Sequence, residues 1–318
     1  MGPGWTKRTL PVRLGQEVQT LPRLGRLTIG AALRASTRRA EALACLVDTF
    51  EACGIEDPKR EAGMTLSAAS GVSPLALIVA PQEPLGSAAG KVEEFAARRA
   101  AGEPLSRIVG KREFWGLTLT ISPQVLDPRP ETETIVETSL RLLRDRRKEP
   151  LRILDLGVGS GALICALLSE FVHARGVGVD VSAAAANVAR SNIEACGLTE
   201  RAEIRLGDWT RGLGGRFDLI VSNPPYIRSG DLPGLPREVR DFDPQIALNG
   251  GRDGLAAYRR IAPEAHSLLC AGGWLMVEIG ASQAADVVAI VGRCGFVDAT
   301  ILKDLAGRDR VVIGRRAA

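Results

Sequence analysis

Asn223-Pro224-Pro225-Tyr226 follows the apolar run Phe217-Asp218-Leu219-Ile220-Val221-Ser222, which reads as a buried strand. Neither proline can donate to a ladder, so the strand stops there and the chain enters an extended turn. Asn223 then stands at a strand's carboxyl end, where ligands of open α/β sheets bind. Its side-chain carbonyl and the backbone carbonyl of Pro224 can together accept both hydrogens of a planar NH2 group. Tyr226 adds an aromatic face, and Pro225 stiffens the turn between them. The chemistry served is the gripping of a carboxamide or of an amino-bearing base. A strand-ending turn without chemistry has the same local sequence, so the decision falls to the segments that must lie beside it.

Leu151-Arg152-Ile153-Leu154-Asp155-Leu156 reads as a strand, Gly157-Val158-Gly159-Ser160-Gly161 as a close-approach loop, and Ala162 to Leu168 as an apolar helix. A second strand, Gly176 to Val181, carries Asp180 at its end, roughly 20 residues past the loop, where a carboxylate accepts from ribose hydroxyls. Two details separate this from a nicotinamide-dinucleotide site: Asp155 precedes the loop, and the Asn-Pro-Pro-Tyr turn ends the fourth strand. Asp155 to Gly161 resembles the first motif of S-adenosylmethionine-dependent methyltransferases, and Asn223 to Tyr226 resembles the fourth motif of their amino-group-methylating branch. Leu206-Gly207-Asp208-Trp209 closes the third strand, on the edge that faces adenine in that fold. There Asp208 can accept from the adenine amino group, and Trp209 can pack on the ring or serve as ordinary core.

The 318 residues suffice for two domains. A net charge of +4 and a pI near 8.8 permit contact with RNA or a ribonucleoprotein but equally describe a solvated surface. No apolar run approaches the ~20 residues of a membrane span, so no membrane contact is expected. The cysteines at 45, 53, 165, 196, 270 and 294 are scattered without a Cys-x-x-Cys pair, which predicts buried free thiols and a cytoplasmic protein. His173 and His266 are the two histidines. Neither pairs with cysteines at ligand spacing, so no metal site is expected.

Residues 1–27, rich in Gly, Pro and Arg, read as a poorly ordered extension. Residues 28–101 read as a helical bundle. Thr28 can cap its first helix, Leu43, Leu46, Val47 and Phe50 form one stripe, Gly54 stops that helix, and Asp57-Pro58 to Gly71 marks the next. Residues 102–126 predict a β-hairpin linker from Arg107 to Gly110 and Glu113 to Ile121. The rest, 127–318, opens on Asp127-Pro128-Arg129-Pro130-Glu131-Thr132-Glu133, where the glutamates either cap a helix or reach a ligand. Strands at 151–156, 176–181, 202–207, 217–222, 274–279, 296–302 and 309–314 alternate with helices. The expected fold is α/β: a doubly wound, mostly parallel seven-stranded sheet with an antiparallel last strand. The polar segment from Ile227 to Gly251 is long enough to be a lid.

Taken together, Gly102-Glu103-Pro104, Arg107-Ile108, Glu113-Phe114, the turn at 128–133, Asp155 to Gly161, Asn223 to Tyr226, Glu278-Ile279-Gly280 and Asp304 to Arg310 occur in one order. In this the chain resembles the peptide chain release factor glutamine methyltransferases (PrmC/HemK) over about residues 28–316. Asp127 departs from the pattern, in which an apolar residue commonly precedes Pro-Arg-Pro. The resemblance implies transfer of a methyl group from S-adenosylmethionine to the glutamine amide nitrogen in the Gly-Gly-Gln loop of class 1 release factors. It implies that Gly157, Val158, Gly159, Ser160, Gly161, Asp180, Asp208, Trp209 and Asn223 hold the cofactor. Asn223, Pro224, Pro225 and Tyr226 would hold the glutamine, with Asn223, Pro224 and Tyr226 catalytic. The helical bundle would contact the release factor, and the protein would be a monomer without stable nucleic-acid binding. The alternatives are a nucleic-acid amino-group methyltransferase, which could stack a flipped base on Tyr226, and a ribosomal-protein glutamine methyltransferase. A cofactor-binding protein without turnover is a third, which the intact Asn223 and Asp180 disfavour.

Overall fold

A computed structural model describes residues 32–318. The expected extension and the Thr28 cap lie outside the described residues. The bundle begins with α1 (Arg39–Ala52), α2 (Pro58–Ser70), α3 (Pro74–Val79), α4 (Ala89–Ala100) and α5 (Leu105–Val109). Of the expected stripe, Leu46 and Phe50 are wholly buried, while Leu43 and Val47 flank the same core. Asp57 caps α2 by accepting from the Arg60 amide at 3.3 Å, Pro58 takes the first helical position, and Gly71 closes the helix at φ 72°.

The segment Arg107–Gly110 is not a strand, as the sequence reading had it. Its first three residues form the end of α5, which follows the cap residue Pro104 and closes on Gly110 at φ 74°. Ile108 packs into the bundle core. Five residues are too few for periodicity to separate helix from strand. The hairpin is shorter than expected, β1 (Lys111–Phe114) and β2 (Leu117–Thr120). Its turn places Trp115 at φ 51° and Gly116 at φ 70°. For Trp115 this backbone is unusual; its amide donates to Glu133 Oε1 and its indole to Glu170 Oε1, both at 2.8 Å.

After α6 (Glu133–Leu142) come β3 (Arg152–Leu156), α7 (Ala162–Glu170), β4 (Arg175–Asp180), α8 (Ala183–Ala195), β5 (Ala202–Leu206) and β6 (Phe217–Ser222). Two short helices, α9 (Arg237–Arg240) and α10 (Gln245–Leu248), interrupt the long segment that follows. The chain ends with α11 (Ala256–Leu268), β7 (Leu269–Glu278), α12 (Ala284–Arg293), β8 (Phe296–Lys303) and β9 (Asp309–Arg316). The seven strands run β5-β4-β3-β6-β7-β9-β8, with β9 antiparallel to both neighbours. Strand β7 starts five residues before the expected 274, with a register shift opposite Phe217 and Leu219.

Side chains alternate across the sheet. Ile153 and Leu219 meet Ile135, Ile164 and Leu168 on one face. Leu154 and Ile220 meet Tyr258, Ile261 and Val287 on the other. Strand order reverses between β3 and β6, which opens a crevice at their carboxyl ends. The glycine loop leaves β3 there and Asn223 leaves β6.

The expectation of buried thiols fails for most cysteines. Cys165 is buried, Cys53 is exposed and the others are half-buried. Cys53, Cys196 and Cys294 are helix C-caps, which emerge at the surface. His173 is exposed, and His266 in the last turn of α11 meets the Phe296 ring edge-on at 5.0 Å. Among the described residues no helix is long and apolar enough to cross a membrane, and no His, Cys, Asp and Glu cluster could hold a metal.

Candidate active site

A cleft of about 320 Å³ opens at this crevice. Nine of the residues singled out from the sequence line it: Gly157, Val158, Gly159, Ser160, Asp180, Asp208, Trp209, Asn223 and Pro225. Gly161, Pro224 and Tyr226 do not. Gly161, at φ 84°, turns the chain into α7, and a Cβ there would lie 3.3 Å from Ala189 Cα. Pro224 is buried. Tyr226 turns its hydroxyl inward to donate to Glu278 Oε1 at 3.3 Å.

The glycine loop is shaped from several sides. Gly157 at φ 74° and Gly159 at φ 54° need glycine's freedom. The amides of Gly159 and Ser182 both donate to Asp180, at 2.9 and 2.8 Å. Asn192, buried on α8, donates to the carbonyls of Thr120 and Ser160 and accepts from the Thr120 amide, each at 2.8 Å. It ties the hairpin to the loop, a role the sequence reading missed. An asparagine on the buried side of an alanine-rich helix is the signal that was there.

Asp155 lines the cleft base, 1 % exposed, and neither carboxylate oxygen has a hydrogen bond of good geometry, the Ile164 amide being its one weak contact. Burial first, then the neighbouring charge of Asp180, pushes its pKa up to about 7, and the Ile164 amide offsets part of this. An orphaned carboxyl of this kind fits a ligand that brings positive charge.

On the adenine-facing edge, Trp209 lies against Gly157, whose added Cβ would be 3.7 Å from Trp209 Cζ3. Asp208 pairs two-pronged with Arg260, at 3.0 and 2.9 Å, so its oxygens are shared between the cleft rim and that guanidinium. Val181 and Ile246, 57 % and 59 % exposed, add apolar walls.

Asn223 is oriented from behind. Its Nδ2 donates to Thr132 Oγ1 at 3.1 Å, and that hydroxyl donates to Glu278 Oε2 at 2.5 Å. Glu278 is 1 % exposed, and burial pushes its pKa up to about 7; the Thr132 hydrogen bond, Arg310 and Tyr226 oppose the rise. Of the turn at 128–133, Pro128 and Thr132 reach the cleft. Glu131 and Glu133 do not line it, and Glu133 instead holds the hairpin turn.

The segment 227–251 covers one side with Ile246, Ala247 and Asn249. It is fastened where it starts and stops and again in its middle. Gln283 Nε2 donates to the carbonyls of Tyr226 and Gly254, at 2.9 and 3.1 Å. Gly250 passes so close that a Cβ would lie 2.8 Å from Pro225 O. In its middle Asp243 accepts from Arg107 and Arg129, both at 2.5 Å, and Glu238 pairs with Arg99 of α4 at 2.7 Å. Asp127, the departure noted in the sequence, is buried here, accepting from Ser106 at 2.5 Å while its amide donates to Asp243.

Residues 41–110 match the PrmC N-terminal domain and residues 135–232 the methyltransferase small domain. The release factor glutamine methyltransferase of Agrobacterium fabrum is 42 % identical over 295 residues, covering 92 % of this chain and 99 % of that one. The protein of the same name from Rhodospirillum rubrum is 43 % identical over 275 residues, covering 85 % and 82 %. Among solved structures, the hMettl16 catalytic domain in complex with the MAT2A 3′UTR hairpin 6 is 18 % identical with a TM-score of 0.54, covering 70 % of this chain and 81 % of that one. At that identity the likeness concerns the fold. Identity over nearly the full length, with the N-terminal domain included, places the chain in the release factor glutamine methyltransferase family.

Proposed function

We propose that this chain transfers a methyl group from S-adenosylmethionine to the side-chain amide nitrogen of the Gly-Gly-Gln glutamine in class 1 peptide chain release factors. The observation that carries the reading is Asn223, at the cleft mouth, whose Nδ2 is engaged by Thr132. Its Oδ1 is therefore the atom left to accept from a substrate amide.

The residues present fit S-adenosylmethionine. The orphaned Asp155 suits a cationic group, Gly157 and Gly159 admit close backbone approach, and Asp180 lies where ribose hydroxyls would donate. Trp209, Val181 and Val158 offer apolar contact to a base. When bound, this cofactor supplies an activated methyl on a sulfonium.

The chain's own part is alignment. An amide nitrogen is a poor nucleophile, because its lone pair is delocalised. Asn223 Oδ1, accepting one N–H hydrogen at the cleft, and the carbonyl of Pro224, which does not line the cleft and must be reached from its edge, accepting the other, fix that nitrogen and raise its electron density. They also stabilise the positive charge that develops on it. The proton can leave after transfer, so no dedicated base is required. The 227–251 segment with Ile246 and Ala247 limits water at the reacting atoms.

Residues 28–101 are assigned to binding the release factor, 102–126 to joining the two parts and 127–318 to methyl transfer, by a monomer without stable nucleic-acid binding. A cytoplasmic location follows from that substrate. Purified protein incubated with labelled S-adenosylmethionine and a release factor tests the assignment. Label on the Gly-Gly-Gln glutamine, abolished by Gln→Ala in the factor, is the expected result. Label on nucleic acid with none on the factor refutes it.

A further inference from the structure

We propose that Thr132 and Glu278 form a positioning pair that fixes which end of the Asn223 amide faces the substrate. The pair deepens the glutamine-methyltransferase reading and rests on it. An asparagine amide is nearly symmetric in shape, yet its two ends are opposite in function. With Oδ1 toward the cleft Asn223 accepts from a substrate amide; with Nδ2 there it would repel the substrate N–H. Something must therefore select one orientation.

The selection is made by a directed chain of hydrogen bonds. In its ionised form, which gains as pH rises through about 7, Glu278 only accepts. The Thr132 hydroxyl spends its single hydrogen on Glu278 Oε2 at 2.5 Å. What remains on Thr132 Oγ1 is lone pairs, and these accept from Asn223 Nδ2 at 3.1 Å. Oδ1 is thereby left for the cleft. Glu278 is itself held in place, its Oε1 accepting from the Tyr226 hydroxyl at 3.3 Å and its backbone carbonyl from the Tyr258 hydroxyl at 2.8 Å. Thr132 and Glu278 are 4 % and 1 % exposed, so water does not compete for these bonds. Thr132, Asn223 and Glu278 come from the turn before α6 and the ends of β6 and β7, which adjoin at the cleft.

The test is steady-state methylation of a release factor at saturating cofactor by Thr132→Val, Thr132→Ser and Glu278→Gln. Thr132→Val keeps the shape and removes the hydroxyl. It should lower kcat by about tenfold or more, with cofactor Kd and melting temperature near wild type. Thr132→Ser restores the hydroxyl and should recover most of the rate. Glu278→Gln can still accept from Thr132 but also presents a donor, so its kcat should fall by a smaller factor with KM little changed. The proposal is overturned by a Thr132→Val enzyme with wild-type kcat, by serine failing to rescue, or by a loss that tracks cofactor affinity or melting temperature. If Thr132→Val does not fold, Glu278→Gln at full wild-type kcat overturns it. A wild-type enzyme that methylates no release factor removes the glutamine reading and the pair with it. A wild type that methylates one while Thr132→Val is equally fast removes the pair alone.

Discussion

Two buried carboxylates behind the cleft lining, Asp243 in the covering segment and Glu278 beyond Asn223 and Thr132, are held in opposite ways. Asp243 anchors the covering segment and receives two guanidinium groups, Arg107 and Arg129, at 2.5 Å. Glu278 lies behind Asn223 and receives two hydroxyls, from Thr132 and Tyr226. Charge against charge makes a strong fastening whose geometry is set by the guanidinium fork. Hydroxyls against a carboxyl make a weaker support with a definite donor direction, which is what orienting an amide requires. The cover needs to be held; the floor needs to be aimed.

The comparison breaks most visibly at Asp243. Asp243→Ala leaves Arg107, 9 % exposed, as an uncompensated buried cation. The expected loss is about 3–5 kcal/mol of stability, measured by urea unfolding. A loss under about 1 kcal/mol means that the fastening relaxes into solvent. On the floor side, Asn223→Ala should cut turnover by about 100-fold or more, with the protein folded and cofactor affinity reduced far less. Full activity of that variant on any substrate refutes the two-acceptor grip.

A third carboxylate sharpens the contrast, because backbone amides hold it. Asp180 accepts from Gly159 and Ser182 and still lines the cleft. Asp180→Ala should weaken cofactor binding by ~1–3 kcal/mol through lost ribose contacts and a looser glycine loop. Unchanged affinity by calorimetry takes Asp180 out of the site.

The smallest effect is on pH dependence. Burial pushes Glu278 up to about 7 from an ordinary 4.5, and Asp155 up to about 7 from 3.8. Between these limits the native state holds more protons than the unfolded chain, so stability falls as pH rises. The contribution is fully present below the unfolded values and is lost as pH passes through about 7. Glu278→Gln should therefore show a shallower decline of melting temperature than wild type between about pH 5 and 8. Parallel declines mean that Glu278 does not titrate in that range.

Local patterns carried much of this into view. Proline after strand, glycine after strand and apolar alternation all act within a few residues, so Asn223, the loop at 157–161 and all seven strands were legible. Where the local signal was short it misled, as at Arg107–Gly110, where a five-residue helix between Pro104 and Gly110 passed for a strand. Glu278 stood in a matching motif without a role. An acidic residue ending the apolar run Trp274–Val277 was a signal of burial, but nothing local named its partners.

The sequence by itself determined the order of elements, the glycine loop after the first strand of the sheet, the turn after the fourth and the residue types in both. These follow from backbone preference and hydrophobic period, which are read along the chain. Only the tertiary structure decided how those residues are aimed. Thr132 meets Glu278 across 146 positions, Asp243 meets Arg107 across 136, and Asn192 meets Thr120 across 72. Tyr226, expected beside the substrate, turns its hydroxyl to Glu278 for the same reason. A buried polar group takes whatever partner the packed fold brings within about 3 Å, and spacing along the chain does not encode that distance.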